Sequence, residues 1–148
     1  MTQQELDSFA AAWNRSEVLR YLGIELSFPD AALCLVRLPV VRAEQRGGKG
    51  SDAINGGVLA ALFDFAIGGT AMLAPPLRRN ATAQLNLNYQ RAVRGSSARC
   101  VARIDRTTKH LLFSSAELFD EHDQVCAKAT GLVSLGEPIS LEAWSNAI

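Results

Sequence analysis

Residues 54–73 form the longest apolar run in the chain and hold a single acid, Asp64. The run is too long for an ordinary strand. As a helix it is apolar on nearly every face, and such a helix is buried on most sides. The loop formers Arg46-Gly47-Gly48-Lys49-Gly50-Ser51-Asp52 precede it, so Ser51 or Asp52 is expected to cap the first turn, and Pro75-Pro76 stops the element. A central helix with a sheet wrapped against it is the architecture this run demands. The run also reaches membrane-spanning length, but Asn55, Asp64 and its glycines argue against a bilayer span.

Gly57, Ala60, Ala61, Asp64 and Gly68 recur at three- and four-residue steps and so share one helix face. Small side chains there admit another backbone at close range. A carboxylate in the middle of that face needs partners, a ligand or a raised pKa, because burying it bare is expensive. Asp64 is therefore a candidate functional group, with local hydrogen bonding at a solvated helix edge as the plain alternative.

The flanking segments supply the sheet. Residues 3–21 are expected to form a covering helix with Leu6, Phe9 and Trp13 as its stripe and Gly23 ending it. Segments 24–28 and 32–41 read as a hairpin turning at Pro29-Asp30. In 81–90, Ala81, Ala83, Leu85, Leu87 and Tyr89 alternate with Thr82, Gln84, Asn86, Asn88 and Gln90. The second set is polar yet uncharged, which suits a site or a subunit interface. Strands at 96–107, 111–120 and 125–135, joined by tight turns at 108–110 and 121–123, are expected to complete a four-stranded antiparallel meander. Val125, Ala127, Ala129, Gly131 and Val133 give the last strand a small-residue face for the central helix. The tail from Glu137 is irregular, with Trp144 to pin it. The fold class is α+β, an antiparallel sheet around one long helix, in a single domain over 1–148. Strand 81–90 reads as an edge. A long open edge is a liability that pairing with the same edge of a second copy removes, so a dimer is expected.

Composition narrows the chemistry. At 148 residues and 48% hydrophobic, the chain needs no metal or disulfide to stabilise its core. Fifteen basic and fifteen acidic residues cancel, which points away from nucleic acid and anionic membranes. Cys34, Cys100 and Cys126 show no CxxC spacing and read as buried free thiols. His110 and His122 fall at hairpin turns and read as surface residues, so no zinc site is expected. The N-terminus lacks the pattern of a signal peptide, and a cytoplasmic location is expected. Motifs for dinucleotide, P-loop and serine-hydrolase sites are absent from the sequence. No cofactor is expected.

Three segments occur in a telling order. They are Asn55-Gly56-Gly57 with Asp64 seven residues after Gly57, then Thr82-Ala83-Gln84-Leu85-Asn86-Leu87-Asn88-Tyr89-Gln90-Arg91, then Leu118-Phe119-Asp120 through Val125-Cys126-Ala127-Lys128-Ala129-Thr130-Gly131. Together they resemble the hotdog-fold acyl-CoA thioesterases, in particular the phenylacetic-acid-pathway (PaaI-like) family, over about residues 20–135. The resemblance implies two subunits joined sheet edge to sheet edge, with sites at the interface, and a dimer of dimers as a further assembly. It implies an acyl thioester of coenzyme A, or of acyl carrier protein, cleaved to a free acid and a thiol. By position Asp64 takes the place of the catalytic carboxylate. Gly57 takes that of the backbone N–H that polarises the carbonyl, and Thr82 that of a water-placing hydroxyl from the opposite subunit. Asn55 stands where the family usually carries His; it donates hydrogen bonds but cannot carry a proton as imidazole does. Gly56, Asn88, Arg91, Arg94 and Lys109 are expected to bind substrate, the cations meeting coenzyme A phosphates, with Arg46, Lys49 and Arg106 as further candidates. Gln45 or Lys49 occupies the region where relatives often carry a site Asn.

These residue types suit the chemistry. A helix N-terminus offers unpaired N–H groups and partial positive charge, a ready site for a developing oxyanion. Asp64, two turns further on, serves either as general base for a water or as direct nucleophile, and both stay open. Leu59, Leu62, Phe63, Phe65 and Met72 read as core in preference to an acyl tunnel. Hydrolysis of an acyl-CoA thioester is the expected function. The alternative is a protein on the same fold that binds an acyl-CoA or fatty-acyl group without cleaving it.

Overall fold

The computed structural model describes residues 1–48 and 50–145; Lys49, a candidate phosphate contact, lies outside them. Helix α1 (Gln3–Trp13) opens on a reciprocal cap between Thr2 and Glu5 and buries Leu6 and Phe9. The covering helix expected over 3–21 is in fact two, because Asn14 leaves the helix to bond both backbone groups of Leu26, accepting from its N–H at 2.8 Å and donating to its C=O at 2.9 Å. Helix α2 (Glu17–Leu22) follows and ends, as expected, at Gly23, whose φ of 69° suits glycine. Strands β1 (Glu25–Asp30) and β2 (Leu33–Leu38) pair as a hairpin. The turn is Ala31-Ala32, two residues later than Pro29-Asp30, and the Asp30 carboxylate accepts from the Ala32 N–H at 2.7 Å and bends the chain after the strand.

The apolar run is the helix it demanded: α3 (Gly56–Gly69), continued by a tight turn over Thr70–Leu73. Its cap is Asn55 rather than Ser51 or Asp52, with the Asn55 Oδ1 accepting from the Gly57 N–H at 2.8 Å. Leu59, Leu62, Phe63, Ala66, Ile67 and Met72 are buried, which assigns four of the five possible tunnel residues to the core. Phe65 is half-buried and meets Trp13 edge to face at 5.9 Å. The stretch Gly56–Leu73 is long and apolar enough to cross a membrane, yet half of it is buried within this fold, wrapped by the sheet.

Strands β3 (Arg78–Tyr89), β4 (Ala98–Thr107), β5 (Leu111–Asp120) and β6 (Val125–Pro138) complete an antiparallel sheet in the order β1-β2-β4-β5-β6-β3. The expected four-stranded meander therefore holds for β4-β5-β6 only; β3 pairs with β6 instead of β4. The chain crosses between them through residues 90–97, where buried Val93 accepts the Ile54 N–H at 2.8 Å and so ties the crossover to the approach of α3. The small face of β6 meets the helix as expected: a Cβ on Gly131 would lie 2.8 Å from Ile67 Cγ2. The tail carries helix α4 (Leu141–Ser145), where Trp144 stacks on Phe9 at 3.8 Å.

Strand β3 departs from simple alternation. A register shift between Thr82 and Gln84 sets Thr82 opposite Val133 and Leu85 opposite Gly131. Val133, Gly131, Ala129 and Ala127 all face the helix side. Thr82 therefore shares the helix face with Leu85, Leu87 and Tyr89, while Gln84, Asn86 and Asn88 face outward with Leu132, Thr130 and Lys128.

The two edges of the sheet are treated differently. Asn14 satisfies the outer N–H and C=O of Leu26 on β1, and Gln3 Nε2 donates to the Phe28 C=O at 2.8 Å. Side-chain amides thus occupy three of the outward backbone groups of that edge. Strand β3, 12 residues long with charges only at Arg78 and Arg79, pairs on one side alone among the described residues.

Candidate active site

The exposed part of α3 is where its chemistry lies. Asn55, Gly56, Gly57 and Asp64 are exposed on a helix whose other faces are buried or half-buried. Gly57, Asp64 and Gly68 fall on one stripe, and the Gly68 end of it is covered by Thr82, whose Oγ1 sits 3.2 Å from where a Gly68 Cβ would be. The stripe therefore runs beside the open edge of β3.

At the helix start, Asn55 does two things. Its backbone C=O accepts from Val58 and Leu59 at 3.0 and 3.1 Å, and its side-chain oxygen takes the Gly57 N–H. Only oxygen accepts an N–H, so the amide orientation is fixed and Nδ2 is turned outward as a donor. The Gly56 N–H has no partner among the described residues. The free donors here are thus Asn55 Nδ2 and the Gly56 N–H, while the Gly57 N–H is held by the cap. Behind them, the Gln45 C=O accepts the Asn55 N–H at 2.8 Å. Gln45 itself is buried, its amide bonded to the Leu22 C=O and the Arg42 N–H, so it steadies the helix start from within and offers no side chain to a ligand. Tyr89, at the end of β3, donates its hydroxyl to the Gly56 C=O at 2.7 Å. Sequence reasoning passed over it, having read it only as one of an alternating set.

The cations fall in three places. Arg94 bonds the Asp52 carboxylate at 2.9 Å and Arg46 the Asp52 C=O at 2.6 Å, just ahead of the helix start. Arg91 bonds Gln124 at 2.7 Å beside them, in a groove shared with Arg94 and the turn 120–124. Lys109 sits at the opposite end of β3, where its C=O accepts from Arg78 at 2.9 Å. Arg106 lies over Phe113 on the outer side of the sheet. Asn88 also faces outward, in a groove of about 530 Å³ with Lys128, Arg99 and Phe119. The sheet separates that groove from Asp64, so Asn88 and Arg106 do not join the cluster at the helix start.

Cysteine chemistry is shut off. Burial pushes the thiols of Cys34 and Cys100 well above the ordinary cysteine range, and at Cys100 the neighbouring Cys34 adds to the shift. Both remain protonated and walled in by core side chains.

The comparisons agree with this architecture. The profile of the thioesterase superfamily matches residues 52–127, more than half of the chain and all of α3 and β3. TV1331 of Thermoplasma volcanium, named as a candidate esterase, is 29% identical over 85 residues, which are 57% of this chain and 63% of that relative. The chain thus spans less than two thirds of that curated relative. Among solved structures, the conserved protein PA5202 of Pseudomonas aeruginosa is 25% identical with a TM-score of 0.73, covering 92% of this chain and 100% of its own. A thioesterase-superfamily protein of Shewanella oneidensis has a TM-score of 0.81 at 20% identity, over 90% of this chain and 96% of that one. The PaaI protein of the E. coli phenylacetic acid degradation operon has a TM-score of 0.75 at 17% identity, over 90% and 97%. The last two establish the fold alone. A matched profile over the helix and the edge strand, on a six-stranded antiparallel sheet wrapped around that helix, makes this chain a member of the hotdog-fold thioesterase superfamily.

Proposed function

We propose that the protein hydrolyses an acyl-CoA thioester, in the cytoplasm, as a homodimer formed through β3. The observation that carries the reading is an exposed stripe on an otherwise enclosed helix, with polar donors at its start and a carboxylate two turns on, beside an unpaired strand edge. The thioester oxygen seats at the helix start. There Asn55 Nδ2 and the Gly56 N–H meet it, and the Gly57 N–H joins them as developing charge draws it from the Asn55 cap.

Spacing favours a site shared between protomers. Gly57 and Asp64 are about 10 Å apart along the helix axis. Direct attack with a hydrogen-bonded oxyanion asks for roughly 7 Å between carboxylate and donor, which the Asp64 side chain, leaning towards the helix start, reaches only at full stretch. The helix start of one protomer and Asp64 of its partner are free of that limit. Thr82, beside Gly68, accompanies the Asp64 of its own chain, and is thus opposite in origin to the donors. The same pairing accounts for the split cations. Antiparallel contact between two β3 edges brings Lys109 of one protomer towards Arg91 and Arg94 of the other, a basic mouth for coenzyme A phosphates.

The test is thiol release from short, medium, long and aromatic acyl-CoAs. Wild type is expected to cleave at least one, and Asp64→Asn to lower kcat by about 100-fold or more. Unchanged turnover in Asp64→Asn removes the carboxylate from the mechanism. The second reading, binding without cleavage, is favoured by one observation: Asn55, which cannot carry a proton, holds the Gly57 N–H. Tight binding by wild type with no turnover of any thioester establishes it.

A further inference from the structure

Tyr89 bridges the two components that the proposed reaction must keep in register. It ends β3 on the helix face, opposite buried Ala127, and is 49% exposed. Its hydroxyl donates to the Gly56 C=O at 2.7 Å. Its ring lies 3.7 Å from where a Cβ on Gly56 would be, an ordinary van der Waals distance, so the ring packs against the first turn without depending on glycine there. A carbonyl oxygen has two lone pairs, so Gly56 takes this bond without giving up its place in the helix.

The setting explains why a tie is needed here. The segment ahead of the helix contains Gly47, Gly48 and Gly50, of which Gly48 and Gly50 have positive φ. The first turn is anchored from the loop side through Asn55 to Gln45 and Ile54 to Val93. On the strand side Tyr89 reaches it from β3, and Thr82 touches the far end of the same helix at Gly68.

We infer that Tyr89 is a positioning residue: a strut from the pairing edge to the helix start that sets where the Asn55, Gly56 and Gly57 donors stand relative to the carboxylate delivered by the partner. The inference rests on the reading of a thioesterase site shared across β3. It adds a requirement that reading does not contain, that the donors be tied to the edge itself. Burial raises the pKa of the Tyr89 phenol, so it stays a donor through the neutral and mildly alkaline range.

Tyr89→Phe keeps the ring and removes the donor. In the intact assembly, kcat is expected to fall about tenfold, the scale of one lost hydrogen bond, with KM within about twofold. Amide exchange at Gly57 and Val58 is expected to rise about fivefold, while exchange in β5 and β6 stays as in wild type. An active wild type with an unchanged kcat in Tyr89→Phe overturns the inference. So does a loss of activity accompanied by faster exchange throughout the sheet, since that marks a general role in stability. If wild type cleaves no acyl-CoA, the thioesterase reading fails by itself. The exchange measurement then still decides the strut, and unaltered protection at Gly57 and Val58 refutes it.

Discussion

A site shared between protomers makes a quantitative prediction about mixed dimers. Take two variants that each disable one half of the site. Asp64→Asn removes the carboxylate; Gly57→Pro removes the backbone N–H that Asn55 caps and sets a ring where Asn55 Oδ1 sits, which disables the donor half as a whole. Each homodimer is expected to be inactive, because both of its sites carry the same lesion. A mixed dimer has one site with both lesions and one with neither. Equal mixing by co-refolding makes about half of the dimers mixed, each with one intact site of two, so about a quarter of wild-type activity is expected to return. If the donors and Asp64 act within one chain, every site in the mixed dimer carries one lesion and nothing returns. Thiol release before and after mixing measures the difference, with dimer exchange followed by native mass spectrometry. A mixture that exchanges fully and stays as inactive as its parents refutes the shared site.

Two further predictions concern the frame that holds the site. Gly131→Ala places a Cβ 2.8 Å from Ile67 Cγ2 and 2.9 Å from the Gln84 C=O, where neither backbone nor buried side chain has room to retreat. A loss of about 2 kcal/mol is expected, read as a fall of about 4–8 °C in melting temperature, and a change under about 1 °C contradicts the packing described. Glu121 accepts from the N–H and hydroxyl of Ser96 at 2.8 and 2.7 Å, and these bonds hold its carboxyl below the ordinary glutamate range. A lowered folded pKa contributes stability that is present above the unfolded value and is lost as pH falls through the folded one. The melting-temperature gap between wild type and Glu121→Gln is therefore expected to be widest near neutral pH and to close below about pH 4, and a gap that ignores pH argues against the bond.

Local chemistry in this chain was legible where it rests on one element. The helix at 54–73, the glycine stop of the N-terminal helix at Gly23 and the small face of β6 all follow from period and residue size. Asn55 as the cap was also within reach: Asn ranks with Ser and Asp at that position, and it stands directly before the glycines that open the helix. What escaped depends on a second element. The alternation of 81–90 runs unbroken in sequence, and only the pairing with β6 reveals the extra residue that turns Thr82 towards Gly68. The break at Asn14 comes from the backbone of β1, which no periodicity in 3–21 encodes. The preference of β3 for β6 over β4 is a non-local choice of the same kind. Tyr89 was hidden for the same reason, since its acceptor is 33 residues away.

The occupied edge at β1 has a consequence for assembly. A sheet with two receptive margins can recruit copies at both and grow without limit. Here Asn14 and Gln3 occupy the Leu26 N–H and C=O and the Phe28 C=O on one margin, so in the proposed assembly backbone pairing is left to β3. On that proposal the amide side chains of Gln3 and Asn14 serve as a terminator, leaving a fibre no second strand to grow from.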